Sequence, residues 1–77
     1  MNESRRKKLV SVIDLIERAK VDIEEIKSDE EDSLENMPEG IRSGEEGERT
    51  EEIVNELDEA VTSLGDTQDK LNGVIEQ

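Results

Sequence analysis

The sequence predicts an all-α fold: an antiparallel helical hairpin of two long helices with a short connector, assembling into a homo-oligomeric four-helix-type bundle. Three observations carry this expectation. Apolar residues recur in steps of three and four along two separate arms. The only proline and three of the five glycines fall between those arms. Each arm also holds more aliphatic positions than the seam of one helix pair covers. At 77 residues the chain is read as one small domain, residues 1–77.

Composition alone would permit disorder, because 23 acidic against 10 basic residues give a net charge of −13 and 43% of the chain is charged. Leu, Ile and Val nevertheless number 19 of 77, above the level of roughly 20% below which chains tend to stay unfolded. Their periodic placement then argues for helices.

The first helix is expected over about residues 4–34. Leu9, Val12, Ile16, Ala19, Ile23 and Ile26 step by 3, 4, 3, 4 and 3, the spacing of a heptad seam, and Val10, Ile13 and Leu15 widen it. Beyond Ile26 the seam meets Glu30 and Ser33 and weakens, while Leu34 and Met37 restore some apolar character. The connector is expected over about 35–43. Asn36 with Glu39, and Ser43 with Glu46, stand at capping-box spacing, which predicts a short helical turn near 37–42 and a second helix from about residue 44. Glu45, Glu46 and Glu48 suit the positive end of that helix.

In the second helix, about 44–76, Ile53, Leu57, Ala60, Leu64, Thr67, Leu71 and Val74 step by 4, 3, 4, 3, 4 and 3, and Val54, Val61 and Ile75 follow one residue on. Gly65 and Gly73 fall at outer positions and cost about 1 kcal/mol each relative to Ala. At 1.5 Å per residue each arm of about 30 residues is roughly 45 Å long, and the connector is long enough to reverse the chain.

Val54, Val61 and Ile75, with Val10 and Ile13, would stay wet in a lone hairpin, whereas two hairpins packed as a four-helix bundle would bury them. A core of small aliphatics without aromatics is also thin for a monomer. A homodimer or higher homo-oligomer is therefore expected. Its core would be Leu9, Val12, Ile13, Ile16, Ala19, Ile23, Ile26, Ile53, Val54, Leu57, Val61, Leu64, Leu71 and Val74.

Phe, Tyr, Trp, His and Cys are all absent. That removes the commonest catalytic base, the thiol nucleophile, the soft metal ligands and the platforms on which bases stack. The run Asp29-Glu30-Glu31-Asp32 lacks the alternating ligands and central glycine of a calcium loop. Two-metal bundles use Glu-x-x-His pairs that this chain cannot supply, and paired carboxylates for glycoside hydrolysis need a cleft that two thin helices lack. The expectation is no enzyme, no metal and no cofactor. Strong acidity disfavours direct binding to nucleic acid. No run approaches the roughly 20 apolar residues that cross a bilayer, and Ser11 and Asp14 interrupt the apolar segment after Lys8 that would otherwise read as a secretory signal. A cytoplasmic protein without membrane contact is expected.

Charge is unevenly distributed. Residues 22–59 hold 17 acidic and three basic residues, a balance of −14, and the rest of the chain sums to +1. Arg5, Arg6, Lys7 and Lys8 cluster at the open end of the hairpin. Both placements oppose the dipole of the first helix. Three readings follow. The basic run is solvated and neutralises Glu76 and the terminal carboxylate, worth about 0–1 kcal/mol per exposed pair; or it meets the acidic end of a second chain and sets assembly geometry; or it forms a phosphate site at a positive helix end. In the last case Asn36, Glu39 and Arg42 of a neighbouring chain would complete the site in a head-to-tail dimer.

The opening Arg5-Arg6-Lys7-x-Leu9, the phrase Glu35-Asn36-Met37-Pro38-Glu39-Gly40-Ile41, the link from Ser43 to Glu48 and the acidic second arm resemble small acidic helical proteins encoded by phages and prophages of Gram-positive bacteria. The resemblance spans nearly the whole chain, with the Asn-Met-Pro-Glu turn as its distinctive element. It implies a setting in the bacterial host cell and a role as a stoichiometric antagonist of host defence. Such a protein would sequester an anionic nucleotide signal or occlude a host defence protein. The acidic surface of Glu45, Glu46, Glu51 and Glu52 suits a nucleic-acid mimic that blocks a DNA- or RNA-binding protein, and a scaffolding coiled coil of phage assembly or replication is the remaining alternative.

Overall fold

The computed structural model describes residues 1–77. Its element order is α1 (Glu3–Glu35), α2 (Glu39–Arg42) and α3 (Glu45–Ile75). Glu, Leu, Arg, Lys and Ala favour helix along both arms, no proline interrupts either, and the apolar stripes supply the packing that holds α1 and α3 together. Asn2 starts α1: its Oδ1 accepts from the Arg5 N–H at 2.9 Å, satisfying one orphan donor of the first turn. Pro38 disfavours helical backbone at Met37 and stops α1. The antiparallel pairing of α1 with α3 makes a rod with Cα extents of 59 × 15 × 11 Å.

The connector is helical where expected, but its capping differs. Asn36 closes α1 as its C-cap, with its N–H reaching the Asp32 carbonyl at 3.0 Å. Ser43 Oγ donates backward to the Glu39 carbonyl at 2.9 Å, which leaves Gly44 as the N-cap of α3 without a side-chain hydrogen bond. Neither capping box forms. A four-residue α2 turns so tightly that Asn36 and Ser43 are used to end the preceding helices. Gly47 makes this possible: a Cβ there would collide with the carbonyl and Cα of Arg42, so α2 closes onto the first turn of α3 only because the position is bare.

The seam between α1 and α3 is not the one the aliphatic pattern predicts. Along α1 the less exposed positions are Arg6, Leu9, Ile13, Ile16, Lys20, Ile23, Lys27, Glu30 and Leu34. Along α3 they are Gly47, Thr50, Val54, Leu57, Val61, Leu64, Gln68, Leu71 and Ile75, with Ala60 and Gly65 beside them. Leu9, Ile16, Ile23, Leu57, Leu64 and Leu71 belong to both frames. The structure pairs them with the row one residue later, so each helix is turned by about 50°, half the angular step of one residue. Ile13, Val54, Val61 and Ile75 therefore lie in the hairpin's own seam. Val12, Ala19, Ile26, Ile53, Thr67 and Val74 lie outside it and are exposed.

Polar side chains in the seam explain that choice. Lys20 and Lys27 lay their aliphatic stems along it and carry their ammonium groups to its edge. Lys20 Nζ donates to Gln68 Oε1 at 3.0 Å, and Lys27 Nζ to Asp58 Oδ1 at 2.9 Å. Gln68 Nε2 donates to the Ile13 carbonyl at 3.3 Å and to Glu17 Oε1 at 3.1 Å. No aliphatic side chain is fully buried; the only buried residues are Gly47, Thr50 (7% exposed) and Gln68 (8% exposed). Thr50 satisfies itself by donating to the Glu46 carbonyl at 3.0 Å.

The hairpin is thus a flat layer with two unlike faces. On one, Glu17, Lys20, Lys27, Glu31 and Asp58 form a ladder of hydrogen bonds and ion pairs. On the other, the residues that precede each later-row seam position by one stand in line: Val12, Ala19 and Ile26 from α1, and Ile53, Ala60, Thr67 and Val74 from α3.

Candidate functional site

The residues singled out for phosphate binding are divided between the two ends of the rod. Arg5, Arg6, Lys7 and Lys8 occupy the first turns of α1 at the open end, and Asn36, Glu39 and Arg42 lie at the connector. No single chain brings the two groups together. At the connector, Glu39 and Arg42 line a shallow open depression with Met37, Ser43 and Glu51.

Within the basic cluster the four side chains differ. Arg6 Nε donates to the Ile75 carbonyl at 3.2 Å, capping the last turn of α3. Arg5, Lys7 and Lys8 use their side chains for no hydrogen bond and no ion pair. Antiparallel pairing also resolves the unfavourable charge placement noted along α1. The cations at the N-terminus of α1 lie beside the negative C-terminus of α3. The acidic end of α1 lies beside the positive N-terminus of α3, where Glu45, Glu46 and Glu48 add their own favourable charge.

The acidic quartet stands on the first two turns of α3 and is exposed. Glu45 makes only a long intrahelical contact of 3.9 Å with Arg49, and Glu46, Glu51 and Glu52 make no ion pair. No group of three or more Asp or Glu side chains is arranged to hold a metal ion. No helix is long and apolar enough to cross a membrane.

Two features of the structure lie outside what the periodic pattern indicates. The Glu17–Lys20–Gln68 cluster is one, and its signal is a lone Gln in the row Val54, Val61, Gln68, Ile75. Gln68 donates to Glu17 and holds that carboxyl below its ordinary 4.5, with the nearby Lys20 charge adding to the effect. The hydrogen bond from Lys27 to Asp58 raises the lysine above its ordinary 10.5. The role of Arg6 as a cap on α3 is the other, and it depends on a tertiary contact that the local sequence does not encode. Comparison with protein-family models, with curated proteins and with solved structures finds no match.

Proposed function

We propose that the protein acts without catalysis, by stoichiometric binding, as a homo-oligomeric helical hairpin whose basic end takes an anionic ligand of the nucleotide class. In the phage setting implied by the resemblance, this withholds a nucleotide signal from host defence. One observation carries the reading: in a chain with 23 carboxylates, Arg5, Lys7 and Lys8 stand together at a helix N-terminus with no carboxylate partner. Unpaired cations beside free N–H groups favour a multiply charged anion over water. Isothermal titration against a panel of cyclic and linear nucleotides is expected to give saturable heat that weakens with salt and vanishes in Arg5→Ala/Lys8→Ala. Absence of heat across the panel refutes the reading.

The unpaired carboxylates Glu46, Glu51 and Glu52, with Glu45 beside them, favour a second reading in which this surface imitates a phosphate row and occludes a nucleic-acid-binding protein. Reversing the four charges to Lys would abolish such binding while leaving nucleotide titration unchanged. An affinity independent of salt would exclude it.

A further inference from the structure

The geometry points to a specific dimer: two hairpins packed through their aliphatic faces, with the connectors at opposite ends, so that α1 lies antiparallel on the partner's α1 and α3 on the partner's α3. The inference rests on the homo-oligomeric reading above and adds the surface and the orientation.

The face is Val12, Ala19, Ile26, Ile53, Ala60, Thr67 and Val74. Val12 is 40% exposed, Ile26 52%, and Ile53 and Val74 each 37%. Pairing Arg6 with Ile75 and Ile13 with Gln68 sets the hairpin register. That register places Ala19 and Ala60 close to the same level, with Val12 near Thr67 and Ile26 near Ile53. The face is therefore flat and lowest at its centre, where two alanines let backbones approach, and bulkier on either side. The aliphatic row runs about 21 Å along α1 from Val12 to Ile26 and about 32 Å along α3 from Ile53 to Val74, at 1.5 Å per residue, and crosses both helices of the hairpin. The opposite face is excluded as the docking side because its ladder of Lys20, Lys27, Glu17, Glu31 and Asp58 would have to be desolvated.

Charge selects the occupant and the orientation. With connectors at the same end, two segments of −14 would lie against each other; with connectors at opposite ends, each meets the half of the partner that carries Arg5, Arg6, Lys7 and Lys8. Centred on Ala19, the antiparallel arrangement sets Val12 against the partner's Ile26 and brings Arg5 and Lys8 alongside Asp29 of the partner subunit. It also gathers the basic end of one chain with Asn36, Glu39 and Arg42 of the partner subunit, which one chain keeps at opposite ends of the rod.

Native mass spectrometry across protein concentrations is expected to give twice the 8.7 kDa chain mass. Ala19→Glu/Thr67→Glu, both at exposed positions outside the α1–α3 seam, should raise the dimer dissociation constant by at least about 100-fold. The chain has no cysteine, so Ala19→Cys reports orientation directly. It should cross-link to its own copy through a disulfide or a short bis-maleimide. A monomer at all concentrations, or a dimer indifferent to the two glutamates, overturns the proposal. So does a cross-link that forms only when Ala19→Cys is mixed with Ala60→Cys, the signature of connectors at the same end. None of these results depends on nucleotide binding, and a silent titration with a formed Ala19→Cys cross-link would refute the ligand reading alone.

Discussion

Lys20 and Gln68 lock the two long helices in register: the lysine Nζ donates to the amide oxygen at 3.0 Å, while the amide nitrogen is held by the Ile13 carbonyl and Glu17. A slide of α3 by one heptad would leave Gln68 buried without partners, at a cost of about 1–3 kcal/mol. The polar cluster thus specifies alignment at the expense of apolar contact. Similar trade-offs occur where one polar residue sits in an aliphatic coiled-coil row.

Replacing the pair by hydrophobic residues should accordingly raise stability. Lys20→Leu/Gln68→Leu is expected to gain at least about 1 kcal/mol, because a half-buried lysine stem and a buried amide become apolar seam contacts. Gln68→Ala alone should lose about 1–2 kcal/mol, since it leaves a gap in the seam and removes one hydrogen-bond partner each from Lys20 and Glu17. Thermal unfolding followed by far-ultraviolet circular dichroism distinguishes these signs.

The glycines should divide by position. Gly47→Ala forces the Arg42 backbone away from α3 and is expected to cost more than about 2 kcal/mol, in the range of strained or overpacked sites. Gly73 faces open space and Gly65 would meet only Lys20 Nζ at 3.7 Å, so Gly65→Ala and Gly73→Ala should each stabilise by about 0.5–1 kcal/mol. Equal effects at Gly47 and Gly73 in chemical denaturation would contradict the connector packing.

Stability should respond to pH through two identified groups. Glu17 is held below its ordinary 4.5 by Gln68 first and then by Lys20, so the unfolded chain takes up its proton more readily. Its contribution is present at neutral pH and lost as pH falls through the acid range below that value. Lys27 is raised above 10.5 by Asp58. Its contribution is complete below that pH and lost as pH rises past it. Glu17→Gln should flatten the acid side of a melting-temperature profile and Lys27→Met the alkaline side, each leaving the other side in place.

Arg6 should behave as a structural cap and its neighbours should not. Arg6→Ala removes the donor to the Ile75 carbonyl and is expected to cost about 0.5–1 kcal/mol and to fray the last turn of α3. Amide hydrogen exchange over residues 72–76 measures that fraying. Lys7→Ala and Lys8→Ala, whose side chains make no hydrogen bond or ion pair within the chain, should leave the same amides unchanged.

Much of this architecture is legible in local sequence. Steps of three and four identify both long helices, Pro38 and the surrounding glycines mark where the chain turns, and the acidic excess over residues 22–59 marks the connector end. The capping of the connector is less legible, because Asn36 and Ser43 have the composition of helix starts yet close the helices before them. Of the candidate binding residues, sequence assigns each to an end of the hairpin, and the chain reversal decides which helix terminus lies beside it. Arg6 reads as an unfavourable charge on α1 until α3 brings its C-terminus alongside.

Propensity, periodicity and helix breakers act over a few residues, and they suffice for a helical hairpin, its turn and its charge polarity. The tertiary structure decided which of two adjacent rows faces the partner helix. Both rows flank the same leucines and isoleucines and differ by half a residue's rotation, so periodicity cannot separate them. Lys20, Lys27 and Gln68 settle the matter, because their stems fill the seam and their heads find Asp58, Glu17 and Ile13 across it. That rotation turns Val12, Ala19, Ile26 and Ile53 outward and makes them a surface.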